Sequence, residues 1–321
     1  MATAAQPSWR PARREIFKYV PAVLSAGLLA QRSRGAALEP SLNFPTEARA
    51  RLAVTSYPFR AFLISPKNRG RNPKVPGMDM TEFPAFVAEK FGVFNINPLI
   101  DHFSSTEPAY LESFRAALDK AHSRIVDLGL PGGRMYAPDP ALRESAVAAG
   151  RKFVDLAVQV GSPSVRLHVN GNKGEKPDIP LAANSLGAIA EYGAQRNIVI
   201  NLENDNPVAE DPFFLVAVIE KVKSPYLRAL PDFGNSLIGH DAEFNRKAVA
   251  AMLAHAFNMC HVKDTVQGDD GKRSQVDLAA AFDLAKKAGY RGYFSMEFET
   301  EPGDPIVGTR QLVTETLHYL S

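Results

Sequence analysis

The run Ile198-Val199-Ile200-Asn201-Leu202-Glu203, followed by Asn204-Asp205-Asn206-Pro207, decides the fold of this 321-residue chain. It is a short, mostly apolar run of the kind found in buried β-strands, and it ends in a carboxylate just before a polar turn. The same arrangement recurs three times further along the chain, each time with a possible metal ligand near the end of the run. A repeated strand of this type predicts a parallel sheet with a shared functional edge.

Short β-like runs alternate with longer helical patterns from residue 51 to the end. The eight predicted strands are Leu52–Tyr57, Val93–Asn97, Ile125–Leu130, Val165–Val169, Ile198–Glu203, Leu227–Asp232, Phe257–Val262 and Tyr293–Phe298. The helical patterns between them include Glu144–Val160, Leu181–Arg196, Phe213–Val222, Glu243–His255 and Val276–Ala288. Alternation of this kind implies βαβ units. Because eight units fill the chain without remainder, we predict an α/β fold, a single-domain (β/α)8 barrel over residues 51–321.

Capping residues support these boundaries. Asp139-Pro140 and Asp211-Pro212 each place a capping residue before a proline at the first helical position. Gly161 and Gly289 follow predicted helix ends, where a left-handed residue is favoured. The stretch Ile64–Met80, rich in Pro, Gly and basic residues, is predicted to be a long loop after the first strand.

Four successive strands bring candidate ligands to the C-terminal mouth of the predicted barrel. Side chains alternate between the two faces of a strand. In the last strand this turns Phe294, Met296 and Phe298 toward the helices, and Tyr293, Ser295, Glu297 and Glu299 toward the axis. In the seventh strand Met259, His261 and Lys263 share the axial face, while Cys260 and Val262 point outward. The expected cluster is Glu203, Asp232, His261 and Glu297.

Three carboxylates and one imidazole would repel one another without a cation between them. Oxygen-rich ligation with one histidine suits Mn²⁺ best, with Mg²⁺, Co²⁺ or Zn²⁺ as alternatives. Any one of these residues on its own is more simply explained as a helix cap or a salt-bridge partner. The joint pattern on four consecutive strands favours a site for one divalent cation.

The chain resembles the xylose isomerase-like TIM barrel superfamily, which includes sugar epimerases, inosose dehydratases, hydroxypyruvate isomerases and endonuclease IV. The matching segments are Asn201-Leu202-Glu203-Asn204, Asp232-Phe233-Gly234-Asn235, His261-Val262-Lys263-Asp264 and Gly289 to Glu299. The resemblance implies that Glu203, Asp232, His261 and Glu297 bind one divalent metal ion. Glu299 has the same strand parity as Glu297, and we favour Glu297 as the ligand.

The resemblance also implies a sugar isomerase or epimerase that works through an enediolate of a keto sugar or related polyol. Glu203 and Glu297 would take and return the proton. Lys263 is expected either to polarise a substrate oxygen or to pair with Asp264 or another acid. The other predicted substrate contacts are Arg166 and His168 on the fourth strand, Glu299, and His102 after the second strand, with His168 equally well explained as a polar residue of the barrel.

Residues 1–37 are predicted to be an export signal, followed by a linker over residues 38–50. Arg13-Arg14-Glu15-Ile16-Phe17-Lys18 precedes an apolar stretch from Tyr19 to Ala30 and a small-residue region near Gly35-Ala36-Ala37. The paired arginines, with Phe and Lys close behind, resemble a twin-arginine signal and imply a periplasmic or extracellular protein. A stretch of 12 apolar residues is too short for a stable membrane span, which needs about 20. A disordered basic arm is the other explanation.

Charge and cysteine content narrow the classes of function. Residues 1–37 hold six basic and one acidic side chain, which leaves 31 basic and 34 acidic residues in the remainder. A nearly neutral body gives no reason to expect nucleic-acid binding, which argues against DNA repair. The single cysteine, Cys260, cannot form an internal disulfide.

Several alternatives stay open at this point. Within enzymes, the rival is a metal-dependent lyase or hydrolase of 3-keto-glycosides, which an exported protein would meet outside the cytoplasm. From another class, the rival is a catalytically silent carbohydrate-binding barrel, although such a scaffold has no need of clustered carboxylates. The identity of the sugar and the existence of a homo-oligomer are not determined by the sequence.

Overall fold

A computed structural model describes residues 39–172, 174–268, 271–299 and 303–321. The predicted export signal, residues 1–37, lies outside the described residues. Within them, eight helices alternate with parallel strands, which confirms the predicted α/β barrel. No helix in the described part of the chain combines the length and the apolar character needed to cross a membrane.

The strands form two hydrogen-bonded arcs that together close the barrel. One arc contains, in spatial order, β3 (Arg124–Ile125), β2 (Asn95–Asn97), β1 (Leu52–Thr55), β11 (Tyr293–Met296) and β8 (Met259–Val262). The other contains β4 (Leu128–Gly133), β5 (Ser164–Val169), β6 (Val199–Glu203) and β7 (Leu227–Leu230). Bridges between Leu99 and Gly129, and between Asp232 and His261, join the arcs on their two sides. Because β3 and β4 occupy one position, the barrel has eight strand positions.

The third predicted strand differs from the structure, which breaks it after Ile125 into β3 and β4. The break falls at Val126-Asp127, where the side chain of Asp127 accepts hydrogen bonds from Ser164 and Asn201 inside the barrel. The polar side chain is thereby satisfied in a buried place, and the regular strand resumes at Leu128.

The helices are α1 (Phe83–Phe91), α2 (Pro108–Lys120), α3 (Pro140–Val160), α4 (Ile179–Ala194), α5 (Pro212–Val222), α6 (Ala242–Leu253), α7 (Leu278–Lys287) and α8 (Pro305–Leu320). From α3 onward every helix begins after an aspartate whose carboxylate accepts a backbone N–H of the first turn. Each such cap contributes about 1 kcal/mol. Asp139 and Asp211 are among them, and Gly161 and Gly289 have positive φ, so the predicted boundaries are confirmed. A short antiparallel hairpin, β9 (Thr265–Gln267) with β10 (Arg273–Gln275), follows β8.

The main hydrophobic core lies between the strands and the helices, and the predicted alternation of side chains is confirmed there. Phe294, Met296, Cys260 and Val262 belong to this outer core. A smaller apolar cluster lies inside the barrel and consists of Ala53, Val126, Leu230 and Met259, with Tyr293 packed against it.

The segment from residue 39 to residue 48 packs against the N-terminal end of the barrel. The ring of Phe44 makes edge contacts with Phe257 and Tyr293, at centroid distances of 5.4 and 6.0 Å. The amide of Asn197 exchanges two hydrogen bonds with the backbone of Ser41. The part of the predicted linker that the structure describes therefore covers the end of the barrel opposite to the predicted site.

Candidate metal centre

The four predicted ligands meet at the C-terminal mouth of the barrel. Glu203 ends β6, Asp232 lies two residues after β7, His261 is in β8, and Glu297 directly follows β11. Parallel strands point their carboxyl ends to the same side, so these side chains converge. One ligand atom from each residue lies within 4.8 Å of the others, and all four residues are buried.

His261 stands between two glutamates. Its Nδ1 lies 2.5 Å from Oε1 of Glu203 and 3.1 Å from Oε2 of Glu297. Its Nε2 lies 2.9 Å from Oδ1 of Asn97, which has no proton to donate. The Nε2–H therefore donates to Asn97, and Nδ1 is the nitrogen that faces the carboxylates. A hydrogen-bonded outer nitrogen is the usual arrangement of a histidine that binds a metal.

Asp232 presents its Oδ2 to the cluster, and the one charged partner of this oxygen among the described residues is Nζ of Lys263, at 3.5 Å. Its Oδ1 accepts the backbone N–H groups of Gly234 at 2.8 Å and Asn235 at 2.7 Å. Its Oδ2 is buried without a hydrogen-bond partner. A buried carboxylate oxygen in this condition is costly, and a cation is the kind of group that would satisfy it.

Two permanent cations border the cluster. Arg166 places Nη1 3.1 Å from Oε2 of Glu203. Lys263 places Nζ 3.1 Å from Oε1 of Glu299, 3.4 Å from Oε2 of Glu297 and 3.5 Å from Oδ2 of Asp232. These acids, and not Asp264, are the ion-pair partners of the lysine in the structure.

Burial and charge change the pKa values of these groups in the metal-free protein. Burial lowers the pKa of His261, but the charges of Glu297 and Glu203 outweigh burial and raise it to about 9. Burial raises the pKa of Asp232 to about 7, although Lys263 opposes that rise. Burial also raises the pKa of Glu203, but the charges of His261 and Arg166 outweigh burial and hold it well below its ordinary value.

The residues fit a divalent cation in charge as well as in chemistry. In the part of the chain that the structure describes, the carboxylates of Glu203, Asp232, Glu297 and Glu299 form ion pairs with two permanent cations, those of Arg166 and Lys263. The carboxylates thus outnumber these two permanent cations, which favours the binding of a further positive charge. Three carboxylates and an imidazole nitrogen form an O/N ligand set that suits Mn²⁺, Mg²⁺, Co²⁺ or Zn²⁺.

Glu297, and not Glu299, belongs to the four-residue cluster. Glu299 lies two residues further along, and its side chain is 21% exposed against 9% for Glu297. Its carboxylate forms an ion pair with Lys263. Glu297 therefore lies within the cluster and Glu299 lies beside it.

The guanidinium group of Arg166 occupies space that is open because Gly129 has no side chain. A Cβ atom added to Gly129 on β4 would lie 2.9 Å from Nη2 of Arg166, which is closer than van der Waals contact. A glycine at this position therefore leaves room for the guanidinium group against Glu203. Nε of Arg166 is buried without a hydrogen-bond partner.

A second group of metal-type side chains, His168, Asp205 and Glu210, lies next to Arg166. The guanidinium of Arg166 contacts Nε2 of His168, and an arginine can only donate, so Nε2 accepts. The proton of His168 is then on Nδ1, which donates to Oε1 of Glu210 at 3.0 Å. Glu210 also accepts the backbone N–H groups of Val169 and Asn206. The imidazole of His168 and the carboxylate of Glu210 are therefore satisfied by hydrogen bonds within the protein.

His102 is buried at the same end of the barrel but contacts a different partner. Its Nδ1 lies 2.8 Å from Oγ of Ser56, and burial lowers its pKa to about 4. The imidazole is thus neutral at physiological pH. Arg166, Lys263 and Glu299 lie against the cluster, and His168 lies at its edge. His102 lies at the mouth of the barrel, where its partner is Ser56 and not a residue of the cluster.

Three polar residues of this region are not among those predicted from the sequence. Asn97 holds His261, Asn204 accepts the backbone N–H of Asp232 at 2.8 Å, and Glu210 holds His168. Asn97 carries the same signal as the ligands, a polar residue at the end of a predicted strand. Asn204 directly follows Glu203, whereas no local pattern marks Glu210.

The sequence of residues 88–319 matches the family model described as xylose isomerase-like TIM barrel. No curated protein matches the chain by sequence.

Solved structures with this fold are similar over most of the chain. A xylose isomerase-like TIM barrel protein from Mycobacterium smegmatis, in complex with magnesium, is 19% identical with a TM-score of 0.63, over 84% of this chain and 96% of that one. The 3-keto-D-glucoside 4-epimerase from E. coli is 13% identical with a TM-score of 0.60, over 84% and 98%. A D-psicose 3-epimerase with D-tagatose from Clostridium cellulolyticum H10 is 12% identical with a TM-score of 0.62, over 84% and 96%.

Proposed function

This chain belongs to the xylose isomerase-like TIM barrel family, and on that premise we propose that it is a divalent-metal-dependent isomerase or epimerase of keto sugars. The observation that carries the proposal is the buried cluster of Glu203, Asp232, His261 and Glu297. These four residues would hold the cation, with Mn²⁺ as the proposed ion. A bound divalent cation would supply Lewis acidity toward the oxygens of the substrate and so make the neighbouring C–H more acidic.

The two glutamates are the proposed acid–base residues. Their oxygens flank Nδ1 of His261 at 2.5 and 3.1 Å, so they approach one point from different strands. One carboxylate would take the proton from the carbon next to the carbonyl, which turns the substrate into an enediolate. Isomerisation would result if the proton returned on the same face to the neighbouring carbon, the former carbonyl carbon, while the hydroxyl proton moved to the other oxygen. Epimerisation would result if the second carboxylate returned a proton to the original carbon on the opposite face.

Lys263 is proposed to contact the substrate from the side of Glu299. Its ammonium group donates a hydrogen bond to Oδ1 of Asn235 at 2.8 Å, which holds it beside the two carboxylates Asp232 and Glu297. Burial lowers its pKa, but Asp232 and Glu297 outweigh burial and raise the pKa well above its ordinary value. A lysine that stays charged would stabilise negative charge on a substrate oxygen.

A second substrate class deserves a direct comparison, because one similar structure is a 3-keto-D-glucoside 4-epimerase. In a 3-keto-glycoside, removal of the proton at C2 leaves the aglycone oxygen at C1 in the β position. The electron pair can then expel the aglycone as an alcohol, which is an elimination. Incubation of the metal-loaded protein with free ketoses and with 3-keto-glycosides, followed by chromatography, tests the proposal. Conversion of neither class, with and without added metal, would contradict it.

Metal binding is expected to weaken as the pH falls. The cation must displace the proton of His261, whose pKa is raised to about 9, and below about pH 7 also that of Asp232. The apparent affinity should therefore fall roughly tenfold per pH unit between pH 9 and 7, and more steeply below. Titration calorimetry between pH 6 and 9 measures this, and proton release into the buffer should accompany binding. An affinity that does not change over this range would contradict the assignment of His261 as a ligand.

Export by the twin-arginine route is also proposed, with Arg13 and Arg14 outside the described residues. That route moves folded proteins, so the barrel would close around its cation in the cytoplasm, before Cu²⁺ or Zn²⁺ competes by its higher affinity. Changing Arg13 and Arg14 to Lys should leave the protein in the cytoplasm with an uncleaved leader. Changing Arg32 and Arg34 to Lys, as the control, should leave export intact. Normal export of the Arg13, Arg14 variant in cell fractions would contradict the twin-arginine assignment.

A further inference from the structure

A chain of buried polar groups runs from the interior of the barrel up to His261. It begins at Asp127, which lies in the break between β3 and β4, and passes through Asn97 at the end of β2. Asp127 is fully buried, and Asn97 and His261 are at most 2% exposed. Neither Asp127 nor Asn97 belongs to the four-residue cluster.

The orientation of the Asn97 amide is determined by Asp127. The amide nitrogen Nδ2 of Asn97 donates to the backbone oxygen of Asp127 at 3.0 Å and faces its Oδ2 at 3.4 Å. In the flipped orientation, Oδ1 of Asn97 would face these two acceptors, and no hydrogen bond could form. Asp127 is itself fixed, because its other oxygen Oδ1 accepts from Ser164 at 2.5 Å and from Asn201 at 2.8 Å.

The orientation of Asn97 in turn determines which nitrogen of His261 carries the proton. With Nδ2 held by Asp127, Oδ1 faces Nε2 of His261 at 2.9 Å and accepts its proton. If a cation displaces the proton on Nδ1, the proton that remains stays on Nε2, where Asn97 accepts it, and the lone pair of Nδ1 becomes available toward Glu203 and Glu297. A flipped amide would present a donor to Nε2, and the proton would move to Nδ1, where it blocks metal binding.

We infer that Asp127 is a positioning residue of the metal centre, which acts through Asn97 to keep Nδ1 of His261 available for the cation. The inference rests on the proposed function, because it assumes that the cluster binds a metal. Outer partners of a metal-bound histidine typically contribute 10- to 100-fold to metal affinity. Asp127 acts one step further out than such a partner.

The test compares Asp127→Asn with Ser164→Ala. Asp127→Asn keeps the shape of the side chain. Its amide oxygen would still face Ser164 and Asn201, so its NH₂ group would face Nδ2 of Asn97, and two donors would meet. We expect the dissociation constant for Zn²⁺, measured by competition with a chelator, to rise about tenfold or more. Ser164→Ala removes one of the two hydrogen bonds to the opposite oxygen of the same carboxylate. Asn201 still holds that oxygen at 2.8 Å, so the side facing Asn97 stays in place. Its dissociation constant should stay within about twofold of the wild-type value, although its stability falls.

A spectroscopic readout separates positioning from general loss of stability. In the zinc-loaded wild-type protein with ¹⁵N-labelled histidine, the Nε2–H proton of His261 should give a resolved signal that exchanges slowly with water. In Asp127→Asn this signal should shift and exchange faster, and in Ser164→Ala it should remain. An unchanged zinc affinity in Asp127→Asn, or an equal loss in Ser164→Ala, would overturn the inference alone. A wild-type protein that binds no divalent cation would overturn the proposed function as well.

Discussion

Replacing Glu203 or Glu297 with Gln is expected to lower the turnover of a keto sugar by about 1000-fold, which is within the usual contribution of a general acid or base. Gln keeps the size and an oxygen for the cation but cannot take up a proton. Both glutamates are buried and lie within 3.1 Å of Nδ1 of His261. We therefore expect that neither water nor a neighbouring carboxylate takes over the proton transfer in the variants. Steady-state rates at saturating metal measure the effect.

A control for this prediction is Glu243→Gln on α6, because that side chain is 53% exposed and its ion-pair partners among the described residues, Arg246 and Lys247, lie on the same helix. It should retain wild-type turnover. The metal content of each variant must be measured beside the rate, because both glutamates are also proposed ligands. Full recovery of turnover at high metal concentration in Glu297→Gln would mean that Glu297 binds the cation without acting on the proton.

Replacing His261 with Ala, or Asp232 with Asn, is expected to weaken metal binding by on the order of 100-fold or more, since even the loss of an outer partner costs 10- to 100-fold. His261→Ala removes the one imidazole of the four-residue cluster, and Asp232→Asn removes the buried charge of a carboxylate whose Oδ2 accepts no hydrogen bond from the described residues. Elemental analysis after dialysis, followed by titration with Mn²⁺, measures the loss.

Glu299→Gln is the matched control for the metal prediction. The substitution removes a carboxylate from the same segment as Glu297 and with the same strand parity. That carboxylate, however, forms an ion pair with Lys263 and lies outside the four-residue cluster. The variant should keep its metal. If it loses the metal while Glu297→Gln retains it, the assignment of the fourth ligand is wrong. Unchanged metal content in both His261→Ala and Asp232→Asn would remove the basis for the whole site.

The barrel and the convergence of the four candidate ligands could be predicted from the sequence for a physical reason. Parallel strands place their carboxyl ends at one edge, so Glu203, Asp232, His261 and Glu297 needed only correct strand assignment to be brought together. Alternation of side chains then separated Met259 and Tyr293 inside the barrel from Phe294 outside it. These inferences depend on the period of a strand and not on the details of packing.

The second layer of the site could not be predicted, because it depends on distances across the barrel. Asn97 lies 164 residues before His261 in the chain, and nothing local to either residue shows that they meet. Asp127 lies inside a run that was predicted to be one strand, and the break is explained only by its hydrogen bonds to Ser164 and Asn201. The partners of Lys263 were likewise decided by side-chain placement at the mouth.

The measurement that tests the central claim most directly is deuterium incorporation into substrate by the wild-type protein in D₂O. A keto sugar or 3-keto-glycoside is incubated with protein that has been stripped of metal, and then with the same protein after Mn²⁺ is restored. We expect mass spectrometry to find one deuterium at the carbon next to the carbonyl, and to find it only when metal is present. The reason is that the proton passes through a carboxylate, which exchanges its proton with water. Conversion of substrate with complete retention of its hydrogen, or exchange that continues at full rate without metal, would contradict this expectation.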